Sequence, residues 1–178
     1  MSELHEPRPV RLFIGLIYRE DAPIAECIKR LEEAFGHTDF ISERYAFEFT
    51  SYYEKEMGKR LFRKFLSFEK LIKRDDLINI KLITNNLEKD YSLEGKRRIN
   101  IDPGYIALEH LILATGKAYY HRPYMGKGVY ADLTLAYRNK KFQSFDWTYP
   151  DYKSEEIKSL LIELREKYIL DLAKERNI

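Results

Sequence analysis

A chain of 178 residues can bury a proper core as one domain without help from disulfides or metals. Hydrophobic residues make up 44% and charged residues 34%, which excludes a disordered chain. With 31 basic against 29 acidic side chains the formal charge is +2, so no global field draws the chain to nucleic acid or anionic lipid.

Lysine, arginine and glutamate supply most of the charge, while glutamine and cysteine occur once each, at Gln143 and Cys27. That pattern resembles a thermophilic surface, an expectation that a melting temperature checks. The lone Cys27 excludes an internal disulfide, and no Cys/His spacing points to zinc. Residues 1–9 are polar, carry two prolines and lack the apolar stretch of a secretory signal. The apolar run 12–18 is far shorter than the ~20 residues of a membrane span. The expectation is a cytoplasmic protein with no membrane contact, a flexible tail over 1–9 and a single domain over 10–178.

Residues 12–18 read as a buried strand interrupted by Gly15. Asp21 stands where a helix N-cap belongs and Pro23 in the first turn. Ile24, Ile28, Leu31 and Phe35 follow at helical spacing, and Gly36 ends the helix. The next strand puts Ile41, Tyr45, Phe47 and Phe49 on one face. Residues 50–58 read as a loop or short helical turn, and 61–68 as another strand. Residues 77–91 could alternate as a strand, but length and the lack of turn residues favour a helix. Residues 97–101 read as a strand ended by a turn or helix start at Asp102-Pro103-Gly104. Residues 108–115 form a buried element of either type.

Over 129–137, Val129, Ala131, Leu133, Leu135 and Tyr137 alternate onto one face, opposite Tyr130, Asp132, Thr134 and Ala136. Residues 138–141 turn a hairpin into 142–145. Ser154 then caps a helix striped by Ile157, Leu160, Leu161, Leu164 and Tyr168. The predicted fold is α+β: one domain with a mixed, mostly antiparallel sheet, an N-terminal β-α-β unit and a C-terminal amphipathic helix.

Familiar catalytic signatures are missing. There is no phosphate loop and no dinucleotide-binding glycine pattern, and Gly126-Lys127-Gly128 is explained by a hairpin turn. No serine sits in a nucleophile elbow, and His5, His37, His110 and His121 lack the spacing of a zinc protease. Cys27, on the first amphipathic helix, reads as a small buried hydrophobe.

Three stretches hold more polar and aromatic groups than packing needs. In residues 96–105, Arg98, Asn100 and Asp102 alternate onto one strand face, where the arginine suits a phosphate or carboxylate, and Tyr105 follows. A salt-bridged, solvated face explains the same pattern. In residues 121–132, His121 can exchange protons near neutral pH beside Arg122 and Lys127, with Tyr130 and Asp132 beyond. A solvated loop feeding a strand is the bland alternative. Residues 147–152 cluster Trp147, Tyr149 and Tyr152; packing is the expectation for Trp147, while the two tyrosines stay open.

In this order, Phe49-Thr50-Ser51-Tyr52-Tyr53 with Met57-Gly58, 65–69, Lys81-Leu82 with Thr84-Asn85, 95–105, His121-Arg122, 126–133 and 147–152 resemble the uncharacterised prokaryotic family catalogued as domain of unknown function 4416. The resemblance runs from about Val10 to the final helix. It implies little chemistry; a GTP-binding label carried by some members finds no phosphate loop here.

The leading expectation is a protein, an enzyme or a plain binder, for a small phosphorylated or otherwise anionic metabolite such as a nucleotide. Arg98 and Arg122 would neutralise charge and His121 would act as acid or base. Asp102 or Asp132 would orient it or hold a divalent ion such as Mg2+. This version requires Arg98 and His121 to lie on the same side of the molecule. The alternatives are an RNA-binding module using Tyr119, Tyr120, Tyr124 and Lys96-Arg97-Arg98, which balanced charge disfavours, and a protein-interaction subunit.

Overall fold

The computed structural model describes residues 3–175. Ten residues of β1 (Val10–Arg19) lead into α1 (Ile24–Phe35), two short strands β2 (Thr38–Ile41) and β3 (Tyr45–Phe47), and the single-turn α2 (Glu54–Met57). The long β4 (Leu61–Ile72) and α3 (Asp76–Asp90) follow, then β5 (Ile99–Ile106) and β6 (His110–Thr115). The chain continues with the hairpin β7 (Tyr124–Gly126) and β8 (Val129–Arg138), then β9 (Lys141–Ser144), a 3-10 turn (Asp151–Lys153) and α4 (Glu155–Glu175). The strands form one antiparallel sheet in the order β2-β4-β1-β5-β6-β8-β7, with β3 added to β4 and β9 to β8. The fold is α+β.

β1 is buried on both faces because both are covered, and apolar there except at Arg11. Leu12, Ile14, Leu16 and Tyr18 pack with Cys27 and Leu31 of α1 and with Leu77, Ile80 and Leu87 of α3. Phe13 points the other way, into a second core with Phe65, Leu135 and the stripe Ile157, Leu161 and Leu164 of α4. Each of those stripe side chains contributes about 1.5–3 kcal/mol by burial. A buried ionic knot also fixes α4: Arg11, with no exposed surface, pairs with Asp39 and Asp171, and Lys167 Nζ reaches Asp39 at 2.9 Å. Tyr168 donates to the Pro9 carbonyl at 2.6 Å. Residues 3–9 carry no regular secondary structure; residues 1–2 and 176–178, the outer limits of the expected tail and domain, lie outside the described residues.

Several local expectations hold. Gly36, at φ 98°, closes α1, and Ser154 Oγ accepts from the Ile157 amide at the start of α4. Asn139 and Lys140 both take left-handed φ in the β8–β9 hairpin, as a tight primed turn requires. Others need correction. Asp21 does not cap α1, because its carboxylate is taken by the Arg19 guanidinium in two charge-assisted bonds of 2.8 and 2.9 Å. The strand expected over 41–49 is two strands, both laid on the twelve-residue β4, with Ser42 bonding Phe65 where they part. Ile41 and Phe49 are left about half exposed.

No turn breaks at Asp102-Pro103-Gly104; β5 runs through it to Ile106. Gly104 is needed there because a Cβ would lie 2.2 Å from the Ile112 carbonyl oxygen. The 129–137 alternation also fails halfway: Ile112 pairs with Leu133 but Leu111 with Leu135, so Thr134 is an extra residue. That bulge reverses the facing, and Leu135 and Tyr137 join the α4 core instead of the α1–α3 core. No helix among the described residues is long and apolar enough to cross a membrane.

Candidate functional site

β5 and β6 pair only from Gly104–Leu113 to Ile106–Leu111. Continued in register, the ladder would join Pro103 to Ala114 and, two residues further on, Ile101 to Gly116. Instead two α3 side chains take both backbone groups of Ile101: its amide donates to Glu88 Oε1 at 2.6 Å, and its carbonyl accepts from Lys81 Nζ at 3.2 Å. Pro103, between, has no N–H to offer. The sheet is therefore split, and the split opens into a cavity of about 860 Å3 running from the polar face of α3 to the opposite face of the sheet. This volume lies within the range of small-molecule pockets.

Its floor is ionic. Arg63, 3% exposed, donates to Tyr152 Oη at 2.8 Å and to Asp102 Oδ2 at 3.3 Å; its Nε lies 3.2 Å from Asp151 Oδ2 without hydrogen-bond alignment. Gly15 makes room for it, since a Cβ there would meet the guanidinium at 2.8 Å. Burial pushes the Asp151 carboxyl above its ordinary range, against the pull of Arg63. Arg97 forks onto Glu56 with two 2.7 Å bonds and reaches Glu88 at 3.2 Å and Asn100 Oδ1 at 2.6 Å. Burial likewise raises the Glu88 carboxyl, partly offset by Lys81. Asn100 is 5% exposed, and its Nδ2 has no partner among the described residues.

The walls are aromatic: Phe47, Phe49, Tyr52, Tyr53 and Tyr149. Burial holds the Tyr53 phenol well above its usual value and pushes Tyr149 up to about 12, so both are neutral rings. At the mouth the exposed Lys117 donates to Tyr52 Oη at 2.5 Å and lies over its ring.

The sequence candidates divide. Asn100 and Asp102 line the cavity together. Arg98 does not: its Nε donates to the Tyr91 carbonyl at the end of α3. Tyr105 is buried in the α1–α3 core, Lys127 sits at the exposed β7–β8 turn bonded to Asn79, and Tyr130 packs on Tyr124. His121, Arg122 and Asp132 do meet, outside the cavity. Arg122 Nε donates to Asp132 Oδ2 at 2.8 Å, His121 Nε2 lies 3.4 Å from the same oxygen, and the imidazole stacks on Trp147. Arg122 joins this group to the cavity wall: its Nη2 donates to Tyr149 Oη at 2.9 Å and its Nη1 to the Lys117 carbonyl at 3.2 Å. Asp132 faces the same side of the sheet as its partner Leu113 in the α4 core, so Arg98 and His121 do not converge.

For a divalent ion, Asp102 and Asp151 are already bridged by the Arg63 guanidinium, and Asp132 by Arg122. Among the described residues no group of three or more His, Cys, Asp or Glu side chains could hold a metal. Sequence reasoning missed Arg63, Lys81, Glu88, Lys117 and Asp151. Three carried a signal: Arg63 interrupts the apolar stripe Leu61, Phe65 of β4, and Lys81 and Glu88 lie two helical turns apart on one face of α3.

The fold and site define an α+β sheet protein with a ligand-sized cavity where two neighbouring strands part. The chain belongs to the family described as Domain of unknown function (DUF4416), which it matches over residues 8–168. No curated protein matches it. No solved structure matches it either.

Proposed function

We propose that the cavity binds a small anionic metabolite. The observation that carries this reading is the division among its cations. Arg63 and Arg97 are committed to carboxylates. Lys81 on the floor and Lys117 at the mouth have no carboxylate within ion-pair distance among the described residues. An ammonium at the mouth of an aromatic-walled cavity attracts and holds an anion in a setting drier than the surface. Asp102 Oδ1 accepts no hydrogen bond from any described residue, which leaves it open to a donor on the ligand.

The nucleic-acid alternative has weaker support. Tyr119, Tyr120 and Tyr124 are exposed, but Arg97 is bound to Glu56 and Glu88, and Arg122 to Asp132. Those charges are not available to phosphates.

Thermal unfolding in the presence of inorganic phosphate, sugar phosphates and nucleotides tests the metabolite reading. A ligand at 100 times its Kd adds ~2.7 kcal/mol, which raises Tm by roughly 5–11 °C for a chain of this size. Lys117→Met should remove most of that rise without lowering the Tm of the free protein. A rise that survives Lys117→Met, or none with any anion, would refute the proposal.

A further inference from the structure

On that reading of the cavity, we infer that its ligand carries a planar, hydrogen-bonding ring on the floor side and its anionic group at the mouth, which makes it a nucleotide-class molecule. The floor and mouth ask for different chemistry. Arg97 holds Asn100 by its Oδ1 at 2.6 Å, which fixes the amide and leaves the buried Nδ2 as a donor without a partner. Two residues along the same face of β5 stands Asp102, whose Oδ2 accepts from Arg63 and whose Oδ1 accepts from no described residue.

The donor and the carboxylate acceptor stand on residues whose backbones are about 6.8 Å apart along the strand, a wider spacing than that of the oxygens of one phosphate. The carboxylate would also repel an anion placed there. A heterocycle offering both an acceptor and N–H donors satisfies the pair. The neutral rings of Tyr53 and Tyr149 supply faces for it to stack on. The slot lies between parted strands, held open where Lys81 and Glu88 occupy Ile101. Lys117, exposed at the other end, is left for the phosphate.

Calorimetric titration of the full chain with the nucleoside 5′-monophosphates, the free nucleosides, ribose 5-phosphate and inorganic phosphate tests this. At least one monophosphate should bind tenfold or more tighter than ribose 5-phosphate. Asn100→Ala should reduce that monophosphate to the ribose 5-phosphate level while leaving ribose 5-phosphate unchanged, and Lys117→Met should weaken both. Ribose 5-phosphate binding as tightly as every nucleotide would overturn the ring and leave the anion site standing. Nucleosides binding as well as nucleotides, unaffected by Lys117→Met, would uphold the ring and overturn the anion site. No binding of any of these probes would overturn both. If Asn100→Ala does not fold, the ranking of probes on the unaltered chain decides.

Discussion

Replacing Arg63 by Met keeps most of the stem that packs against Phe65 and Tyr152, whose ring centroids lie 4.8 and 5.2 Å from the guanidinium carbon. The substitution removes the charge that Asp102 and Asp151 share. The Asp102 side chain is 27% exposed and can turn to water, but that of Asp151 is only 6% exposed and is left buried without its cation. Breaking a buried pair in this way costs about 3–5 kcal/mol, a large share of the ~5–15 kcal/mol that holds a domain folded. At roughly 2–4 °C per kcal/mol for a chain of this length, Tm should fall by about 6–20 °C. The loss should depend on pH. Burial already holds the Asp151 carboxyl above its unfolded value, with Arg63 pulling it down, so removing Arg63 raises it further. Below the unfolded value near ~3.9 the carboxyl is protonated in both states and costs nothing. As pH rises through the raised folded value the unfolded chain releases the proton more readily, and stability falls. Urea unfolding at pH 4 and pH 8 should therefore show the deficit growing with pH, and Arg63→Met/Asp151→Asn should recover most of it at pH 8. A single variant that loses less than about 1 kcal/mol, or a double variant no more stable than the single, would refute the account of this ion pair.

Asp39 carries the opposite sign. Burial pushes its carboxyl up, but hydrogen bonds from Ser67, Arg11 and Lys167 outweigh burial and hold it below its ordinary range. Its stabilisation is complete above the unfolded value and is lost as pH falls through the folded one. Asp39→Asn should thus cost about 1.5–3 kcal/mol at neutral pH and flatten the acid limb of a urea-unfolding profile. Gly104→Ala drives a methyl into the Ile112 carbonyl at 2.2 Å, so it should cost at least about 1–3 kcal/mol or prevent folding; Gly116→Ala, with open space around its Cβ, should stay within about 0.5 kcal/mol by the same assay. Cys27 has no exposed surface and a thiol pushed up to about 12 by burial, so it should resist a thiol reagent in the native protein and react at once in urea.

The elements were legible where one periodicity served one face. The 3.6-residue stripes of α1 and α4, the glycine-flanked turn at Lys127 and the hairpin at Asn139-Lys140 each depend on local chemistry, and each is found. What sequence reasoning lost depends on partners distant in the chain. Asp102-Pro103-Gly104 has the composition of a turn, yet in β5 Pro103 meets the open split and Gly104 meets Ile112, and neither neighbour is local. Thr134 looks like one more alternating residue, and only its pairing with β6 reveals the bulge. For the site, alternation joined Asn100 to Asp102 correctly. It also joined Arg98, which precedes β5 and turns to the end of α3. His121, Arg122 and Asp132 do cluster, but around Trp147 and beside the cavity rather than in it.

Packing alone does not account for the split in the sheet. Pairing Ile101 with Gly116 would satisfy both backbones with ordinary ladder bonds. The chain instead brings a lysine and a glutamate of α3 into the interior, 7% exposed each, to do half of that work. Burying two charged groups to replace two amide bonds is unfavourable for folding. So is the uncapped Asn100 Nδ2 in the same place. Local rules of stability are broken together where a site needs them broken. Here the ladder given up at Ile101, the two buried charges and the Asn100 amide share one cavity, while the ionic knot at Arg11 keeps the sheet intact and its carboxylates paired, although Arg11 Nε is likewise without a hydrogen-bond partner among the described residues. The contrast separates two buried charge clusters among the described residues: the knot at Arg11 fastens α4, and the groups around Asn100 hold two strands apart, which is the opening the proposed ligand would fill.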